Sequence, residues 1–160
     1  MRIADVVTAS VLMLLARASQ PHVAFLGRIP GTNQYSDMAR HPENEATPGV
    51  LAFRPEASLI YVNADAVLEV VLSRLAGRSD VRLVVCDLSA SPYVDLAGAR
   101  KLHELHGELA ARGAALRVIE ARGRVRDLLR ADGIEDKVGR IDHTVTLDGL
   151  LRGNGGGQKA

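Results

Sequence analysis

The sequence is poor in the residues that mark several common classes of protein. Its 160 residues include one cysteine, no tryptophan and only 3% aromatic residues. The single cysteine, Cys86, excludes a disulfide within the chain and favours a reducing compartment. Basic and acidic residues nearly balance, at 20 and 19, and the formal net charge of +1 argues against nucleic acid as a partner. The scarcity of aromatic side chains also leaves little for stacking on single-stranded bases.

Motifs of common enzyme chemistry are lacking as well. No GxxxxGK[ST] sequence is present to cradle phosphates, and no GxGxxG sequence opens a helix after a strand. No GxSxG sequence is present to place a nucleophilic serine. His103 and His106 have no third ligand near them in sequence, so a partly exposed helical pair is favoured over a metal site. We therefore expect no catalytic residue, no metal and no cofactor.

The first apolar segment of the chain covers residues 3–16. As a helix, these fourteen residues span about 21 Å, which is short of the roughly 30 Å hydrocarbon layer of a membrane. Asp5 near the start and Arg17 after the end fit a secretory signal peptide poorly. Two interpretations stay open. The segment is either a helix packed on the domain or the end of a transmembrane helix whose beginning lies outside this chain.

The next segment has the composition of a linker. Residues 22–26 are predicted to form a strand, which Gly27 closes. Residues 30–49 carry prolines and glycines without apolar periodicity, which is typical of an extended strap. We therefore predict a strap over residues 21–49 that leads into a domain starting near Val50.

Strand and helix signals alternate along the rest of the chain. Residues 50–53 and 59–62 are β-rich runs around a turn at Pro55, and they predict a hairpin. Asn63 is expected to cap the next helix. The later elements are predicted as a buried strand at 81–86, a helix from Asp95 to Gly113, a strand at 116–119, a helix ending at 132–133, a short helix at 146–151 and a flexible tail at 153–160. This alternation favours parallel strands with right-handed crossovers, and the hairpin makes the sheet mixed.

The loop after the buried strand is the most informative stretch. Its polar and small residues are Asp87, Ser89, Ser91, Asp95, Ala97 and Gly98. The simplest role of Asp95 is a helix cap that accepts the backbone N–H of Ala97 or Gly98, worth about 1 kcal/mol. Arg122 and Arg124 stand where the third helix starts and are candidate anion contacts, although a solvated helix face is the favoured interpretation.

This loop resembles that of the STAS domain, which anti-sigma-factor antagonists and sulfate permeases share. The resemblance lies in a strand, the run Asp87-Leu88-Ser89, a loop, and Val94-Asp95 followed by Gly98. Residues 59–64 are similar to the second strand of the family, including its Asn63. The strap resembles the segment that joins the last membrane helix of a sulfate permease to its STAS domain. That similarity rests on Leu26-Gly27-Arg28-Ile29-Pro30-Gly31-Thr32, Tyr35, Asp37, Arg40, Pro42, Glu43 and Pro48-Gly49-Val50.

The resemblance implies an α/β fold with a mixed sheet of roughly four to five strands and helices packed mainly on one side. It divides the chain into residues 1–20, the remnant of the last transmembrane helix; 21–49, the strap with the first strand; 50–152, the STAS domain; and 153–160, the tail. The implied function is that of a cytosolic regulatory and interaction domain of a sulfate-permease-type anion transporter. Such a domain supports the transport of sulfate or a related anion without moving it.

The resemblance also implies partners and a location. These are the membrane domain of the transporter, a second copy in a homodimeric parent protein, and the cytoplasmic face of the plasma membrane. The alternatives are a free-standing partner-switching protein of the anti-sigma-antagonist kind and a weak nucleotide-binding module. Anti-sigma-factor antagonists carry a phosphorylatable Ser or Thr directly before the glycine that matches Gly98. This sequence has Ala97 there, so we expect no phosphorylation switch at the start of that helix.

Overall fold

The computed structural model describes residues 2–155, which form one five-stranded sheet with helices on its faces and a helix ahead of it. The helices are α1 (Ile3–Ser19), α2 (Ala64–Leu75), α3 (Leu96–Ala111), α4 (Gly123–Asp132), α5 (Glu135–Val138) and α6 (Leu147–Gly155). The strands are β1 (Val23–Arg28), β2 (Tyr35–Asp37), β3 (Val50–Pro55), β4 (Leu83–Asp87) and β5 (Ala115–Ile119).

The sheet has the order β2-β1-β3-β4-β5. β3, β4 and β5 are parallel, whereas β1 is antiparallel to both of its neighbours. Phe53 of β3 lies opposite Cys86 of β4, which lies opposite Val118 of β5. The predictions of a mixed sheet and of an interior strand at 81–86 are confirmed, with the strand itself starting at Leu83.

The helices divide unequally between the two faces of the sheet. One face carries the larger core, in which Phe53, Val84 and Leu116 are 2% exposed or less and pack with residues of α2, α3 and α4. On the opposite face, Val85 packs with Leu147 of α6. Successive residues of a strand point to opposite faces, which is why neighbours in β4 belong to different cores. The expectation that helices pack mainly on one side is confirmed.

The predicted hairpin does not form. β3 continues to Pro55 and pairs with β1 on one side and β4 on the other, so both of its edges are occupied. Asn63 closes a turn instead: its Oδ1 accepts from the Ile60 amide at 3.0 Å, and its Nδ2 donates to the Ser58 carbonyl at 2.8 Å. Because the side chain is engaged in this turn, it makes no capping bond to α2. Residues 59–62 therefore form a turn, although Leu59 keeps one isolated bridge to Val94.

The strap contributes two strands to the sheet, while the domain start near Val50 stays a prediction. β1 and β2 both lie within residues 21–49, and β1 occupies an interior position. Arg28 exchanges two backbone hydrogen bonds with Glu45, each 2.8 Å long. Asn44 is 6% exposed and donates to the carbonyl and hydroxyl of Ser36. The strand predicted at residues 22–26 is β1, whereas polar contacts rather than an apolar repeat hold residues 35–45, so periodicity did not predict β2.

Asp37 fixes the end of β2. Its carboxylate lies 2.7 Å from Nε2 of His22 and accepts a 2.9 Å hydrogen bond from the Ala39 amide. Burial acts to raise the pKa of Asp37, but the hydrogen bonds from Ala39 and His22 outweigh it and hold the pKa below its ordinary value. The ionised carboxylate therefore stabilises the strap.

The two ends of the chain differ from the core in their packing. α1 buries none of its residues, and Ile3, Leu12 and Met13 are 83%, 61% and 68% exposed. The interpretation of this segment as a helix packed on the domain therefore does not hold. Across residues 2–155, each helix falls short of the length or apolarity that crossing a membrane requires. α6 runs to Gly155, so the predicted tail at 153–160 begins as helix, and residues 156–160 lie outside the described part of the chain.

Candidate functional site

The loop between β4 and α3 begins at a buried carboxylate. Asp87 is 8% exposed, and its Oδ1 accepts a 2.8 Å hydrogen bond from the Ser89 amide. Glu120, at the end of the neighbouring strand β5, has a left-handed backbone with φ of 57°. Burial raises the pKa of Glu120, and the negative charge of Asp87 raises it further. Two carboxyl groups thus lie together on the α6 side of the loop.

The two serines of the loop have different surroundings. Ser91 has no exposed surface, and its Oγ donates a 2.8 Å hydrogen bond to the Ala57 carbonyl. The Pro55 carbonyl lies 3.4 Å from the same hydroxyl. Ser91 therefore ties the loop to the end of β3 and offers no accessible hydroxyl. Ser89 is half-buried, so its hydroxyl is the more open of the two.

Asp95 caps α3, as predicted, and also performs a second task. Its Oδ1 accepts a 2.8 Å hydrogen bond from the Gly98 amide. Its Oδ2 accepts a 2.9 Å hydrogen bond from the Tyr61 amide, in the turn that follows β3. The Leu59 amide donates to the Tyr93 carbonyl at 3.0 Å, and the Asp95 amide donates to the Leu59 carbonyl at 3.2 Å. One side chain and a short backbone bridge thus hold two loops together.

Gly98 permits this contact. A Cβ atom at Gly98 would lie 2.3 Å from the Leu59 carbonyl oxygen, which is closer than real Cβ atoms approach. Glycine is therefore required by close packing of α3 on the turn, although its backbone dihedral angles are ordinary. Ala97, half-buried just before it, has no hydroxyl to accept a phosphate.

Four apolar side chains are exposed around these loops. Tyr61, Val62, Tyr93 and Leu96 are 79%, 44%, 57% and 49% exposed. We refer to these four residues as the Asp95 surface. Exposed apolar groups that cluster on a surface mark contact sites for other molecules. The sequence did not predict this surface, because residues 59–62 were expected to form one strand of a hairpin.

The Asp95 surface lies at the end of the sheet where the chain enters from α1. Val23, the first residue of β1, pairs with Pro55, the last residue of β3. Ser91 and Asp95 are bonded to the segment that immediately follows Pro55. The apolar residues of α1 and those of the Asp95 surface are therefore joined to the same end of the domain.

The basic cluster at α4 adjoins the same loop from the other side. Arg122 donates from Nη2 to the Ser89 carbonyl at 3.3 Å, and Arg124 is exposed. The cleft beside Ser89 has a volume of about 390 Å³ and is lined by Asp87 and Glu120. The negative charges of these carboxyl groups would repel an anion in the cleft. The anion contact at Arg122 and Arg124 therefore stays a prediction.

The surroundings of Cys86 and of the possible metal ligands also bear on the loop. Cys86 is fully buried, and burial raises the pKa of its thiol far above the ordinary value. A thiol in that state is a poor nucleophile. Residues 2–155 contain no group of three His, Cys, Asp or Glu side chains placed to hold a metal ion.

The family model described as the STAS domain matches residues 41–147. The chain belongs to the STAS domain family. The resemblance to sulfate permeases is confirmed by sequence relatives. Low affinity sulfate transporter 3 of Stylosanthes hamata is 33% identical over an alignment of 142 residues, and the match covers 82% of this chain and 22% of the relative. A "probable sulfate transporter" of Mycobacterium tuberculosis is 30% identical over an alignment of 142 residues, and the match covers 88% of this chain and 25% of the relative.

Solved structures share the fold of this STAS domain. The murine solute carrier 26 family member A9 anion transporter matches 96% of this chain with a TM-score of 0.80 and 16% identity, over 25% of its own length. The SulP transporter STAS domain of Vibrio cholerae matches 73% of this chain and 89% of its own, with a TM-score of 0.53 and 21% identity. An anti-sigma factor antagonist in its unphosphorylated form matches 71% of this chain and 96% of its own, with a TM-score of 0.53 and 12% identity. The chain spans about a quarter of the length of the sulfate transporters it matches.

Proposed function

We propose that this STAS domain is the regulatory and interaction domain of a sulfate-permease-type anion transporter and that it binds its partner through the Asp95 surface. In this role it is not an enzyme, needs no cofactor and does not itself move an anion. The observation that carries the proposal is the group of exposed apolar side chains, 44–79% exposed, on loops that Asp95 holds together.

The partner we propose is the membrane domain of the same transporter, at the cytoplasmic face of the plasma membrane. Two observations support this. The sulfate transporters among the relatives are about four times as long as the matched segment. The exposed apolar helix α1 and the Asp95 surface are joined to the same end of the sheet, so a partner that covers one is placed to cover the other. A homodimer of the parent protein is part of the same proposal.

The surface is proposed to act without a phosphorylation switch. A phosphate at the start of α3 would be attracted by the helix N-terminus and repelled by Asp95, and it would change the docking surface. Ala97 offers no hydroxyl there, and Ser91 is buried and engaged in a hydrogen bond. The start of α3 therefore offers no phospho-acceptor beside the Asp95 surface.

A free-standing partner-switching protein is the second candidate, and the fold shared with an anti-sigma factor antagonist is what favours it. Ala97 counts against it, because a switch of that kind needs a phospho-acceptor. Weak nucleotide binding at Arg122 has less support, since Asp87 and Glu120 line the adjoining cleft.

The test measures sulfate uptake by the complete protein that contains this chain, in a host that lacks its own sulfate uptake. Leu96→Asp places a charge in the Asp95 surface, whereas the control Val70→Asp places one at a position of similar exposure on α2 (49% against 42%). Residues at the centre of an interface carry most of its energy, so Leu96→Asp is expected to lower uptake about fivefold or more at unchanged melting temperature. Val70→Asp is expected to leave uptake unchanged.

Equal uptake by the two variants would contradict the proposed role of the Asp95 surface. A complete coding sequence without membrane helices would contradict the transporter itself and favour the second candidate. Stoichiometric phosphorylation of Ser89 in the native cell would contradict a surface that acts without a phosphorylation switch.

A further inference from the structure

Helix α6 is held on the sheet by few apolar contacts. It covers the face opposite the larger core, where Val85 lies, and we call this side the α6 face. Among the described side chains of α6, Leu147 is buried, whereas Leu150 and Leu151 are only half-buried. The helices α2, α3 and α4 on the other face each bury two residues or more. α6 is therefore seated less deeply than the helices of the larger core.

The α6 face is apolar and closed to solvent. Val85 at its centre has no exposed surface, and Ala52 on the neighbouring strand is 5% exposed. The other buried strand residues of this face are Ala24, Leu26 and Ile119. An apolar sheet face must be covered by another element, and here the cover consists of α6 with the half-buried side chains of Tyr35 and Val145. Without α6, several apolar residues would be open to water.

The sequence of α6 gives it little helical stability of its own. Three of its nine residues are glycine, which is among the least favourable residues in a helix. Isolated helices shorter than about 12 residues are marginal in water even when their sequences favour the helix. A detached α6 would therefore unfold, so its helical structure depends on packing against the sheet.

Polar contacts join α6 to the strap but add little to its attachment. Arg152 donates from Nη2 to Oδ1 of Asn33 at 2.6 Å, and its Nε lies 2.7 Å from the carboxylate of Asp148. The side chain of Arg152 is 66% exposed, and ion pairs or hydrogen bonds in contact with water contribute little to stability. These contacts therefore orient α6 over the strap, while its leucines hold it on the sheet.

We infer that α6 is a latch, which opens and closes over the α6 face while the rest of the sheet stays folded. In the closed state, α6 covers Val85 and is bonded to Asn33 of the strap. In the open state, α6 is unfolded, the α6 face is exposed and the strap has lost this bond. Elements with few buried apolar contacts open at a lower free energy than the whole domain. Since the strap connects α1 to the sheet, the latch is a regulatory device at the segment through which α1 is attached.

Thiol labelling at two neighbouring residues of β4 tests this inference. Val84 and Val85 both have no exposed surface, but Val84 lies in the larger core and Val85 lies under α6. Each is replaced by cysteine in a Cys86→Ala chain, so that every variant carries a single thiol. With an excess of thiol reagent at neutral pH, Val85→Cys is expected to react at least about 100-fold faster than the control Val84→Cys, because only α6 must open.

Two further substitutions identify the element that opens. Val67→Ala in the larger core destabilises the domain but not the latch. It should therefore accelerate labelling of Val84→Cys about tenfold and leave that of Val85→Cys unchanged. Leu151→Asp weakens the contact of α6 with the sheet, and it should accelerate labelling of Val85→Cys about tenfold or more.

Four results would overturn the inference. Equal labelling rates of Val84→Cys and Val85→Cys would show that the α6 face opens only when the whole domain unfolds, and so would acceleration of both by Val67→Ala. An unchanged rate of Val85→Cys after Leu151→Asp would show that an element other than α6 opens. Labelling of Val85→Cys as fast as that of an unfolded peptide would show that α6 does not close. Since the Asp95 surface takes no part in these measurements, failure here leaves the proposed function untouched.

Discussion

Replacing Asp95 tests whether one carboxylate joins the start of α3 to the turn after β3. Asp95→Ala removes the 2.8 Å bond from the Gly98 amide and the 2.9 Å bond from the Tyr61 amide. The lost cap costs about 1 kcal/mol. The bond to Tyr61 is exposed, so water replaces part of it and its loss adds about 1 kcal/mol. We therefore expect Asp95→Ala to lower the free energy of unfolding by about 2 kcal/mol, twice the cost of a cap alone.

Asp95→Asn separates the two contributions. Asparagine is as good an N-cap as aspartate, so the Gly98 bond is kept, while its NH₂ group cannot accept from the Tyr61 amide. We expect a loss of about 1 kcal/mol, half that of the alanine variant. Urea unfolding followed by circular dichroism at neutral pH measures both losses, with the slope of the transition unchanged. Asp127→Ala, at an exposed position of α4, serves as the control and should stay within about 0.5 kcal/mol of the parent chain.

Two results would refute this reasoning. If Asp95→Ala matched the Asp127→Ala control, neither bond would contribute to stability. If Asp95→Asn cost as much as Asp95→Ala, the capping bond to Gly98, which asparagine keeps, would contribute nothing to stability.

Three other predictions follow from the fold. Gly98→Ala is expected to lower the free energy of unfolding by about 2–3 kcal/mol in urea melts, because its Cβ would meet the Leu59 carbonyl oxygen at 2.3 Å. Gly107→Ala on the same helix meets nothing within 4 Å and should raise the free energy of unfolding by about 0.5–1 kcal/mol. Similar effects of the two substitutions would contradict the packing argument. The pKa of Asp37 is lowered by folding, so its carboxylate stabilises the fold above the unfolded-state pKa of about 3.9, and this contribution is lost as pH falls through the folded pKa. Asp37→Asn should therefore flatten the fall in urea midpoint below about pH 4, and an unchanged slope would be evidence against it. Deleting residues 1–20 should leave the melting temperature unchanged and reduce aggregation in light scattering, since α1 buries no residue; a large drop would show that α1 stabilises the domain.

Sequence signals that depend on only a few neighbouring residues were sufficient to predict much of the fold. The apolar run at 81–86 predicted an interior strand because a strand covered on both faces needs apolar residues at successive positions. Asp95 and Gly113 bounded α3 correctly, since capping and left-handed termination depend on the residue at the helix end. The family resemblance extended these local signals to the mixed sheet and to the STAS domain.

Elements that depend on distant partners were not predictable in the same way. Residues 59–62 have the composition of a strand, but β1 and β4 already occupy both edges of β3, so the segment turns instead. β2 has only three residues, and it forms because β1 lies beside it and because Asp37 and Asn44 make buried polar contacts. Neither hydrogen-bond partners nor vacant sheet edges can be inferred from the composition of a short segment.

The candidate site also has properties that local sequence predicts and properties that depend on distant partners. The sequence by itself determined that the loop at 87–98 carries a helix cap and lacks a phospho-acceptor at Ala97, because both depend on which residue stands at a known helical position. Only the tertiary structure decided that Asp95 also bonds the Tyr61 amide, that Ser91 is buried, and that the Asp95 surface is exposed. Those properties arise when two loops far apart in the chain meet at the carboxyl ends of β3 and β4, and the distance between such loops is set by the packing of the whole sheet.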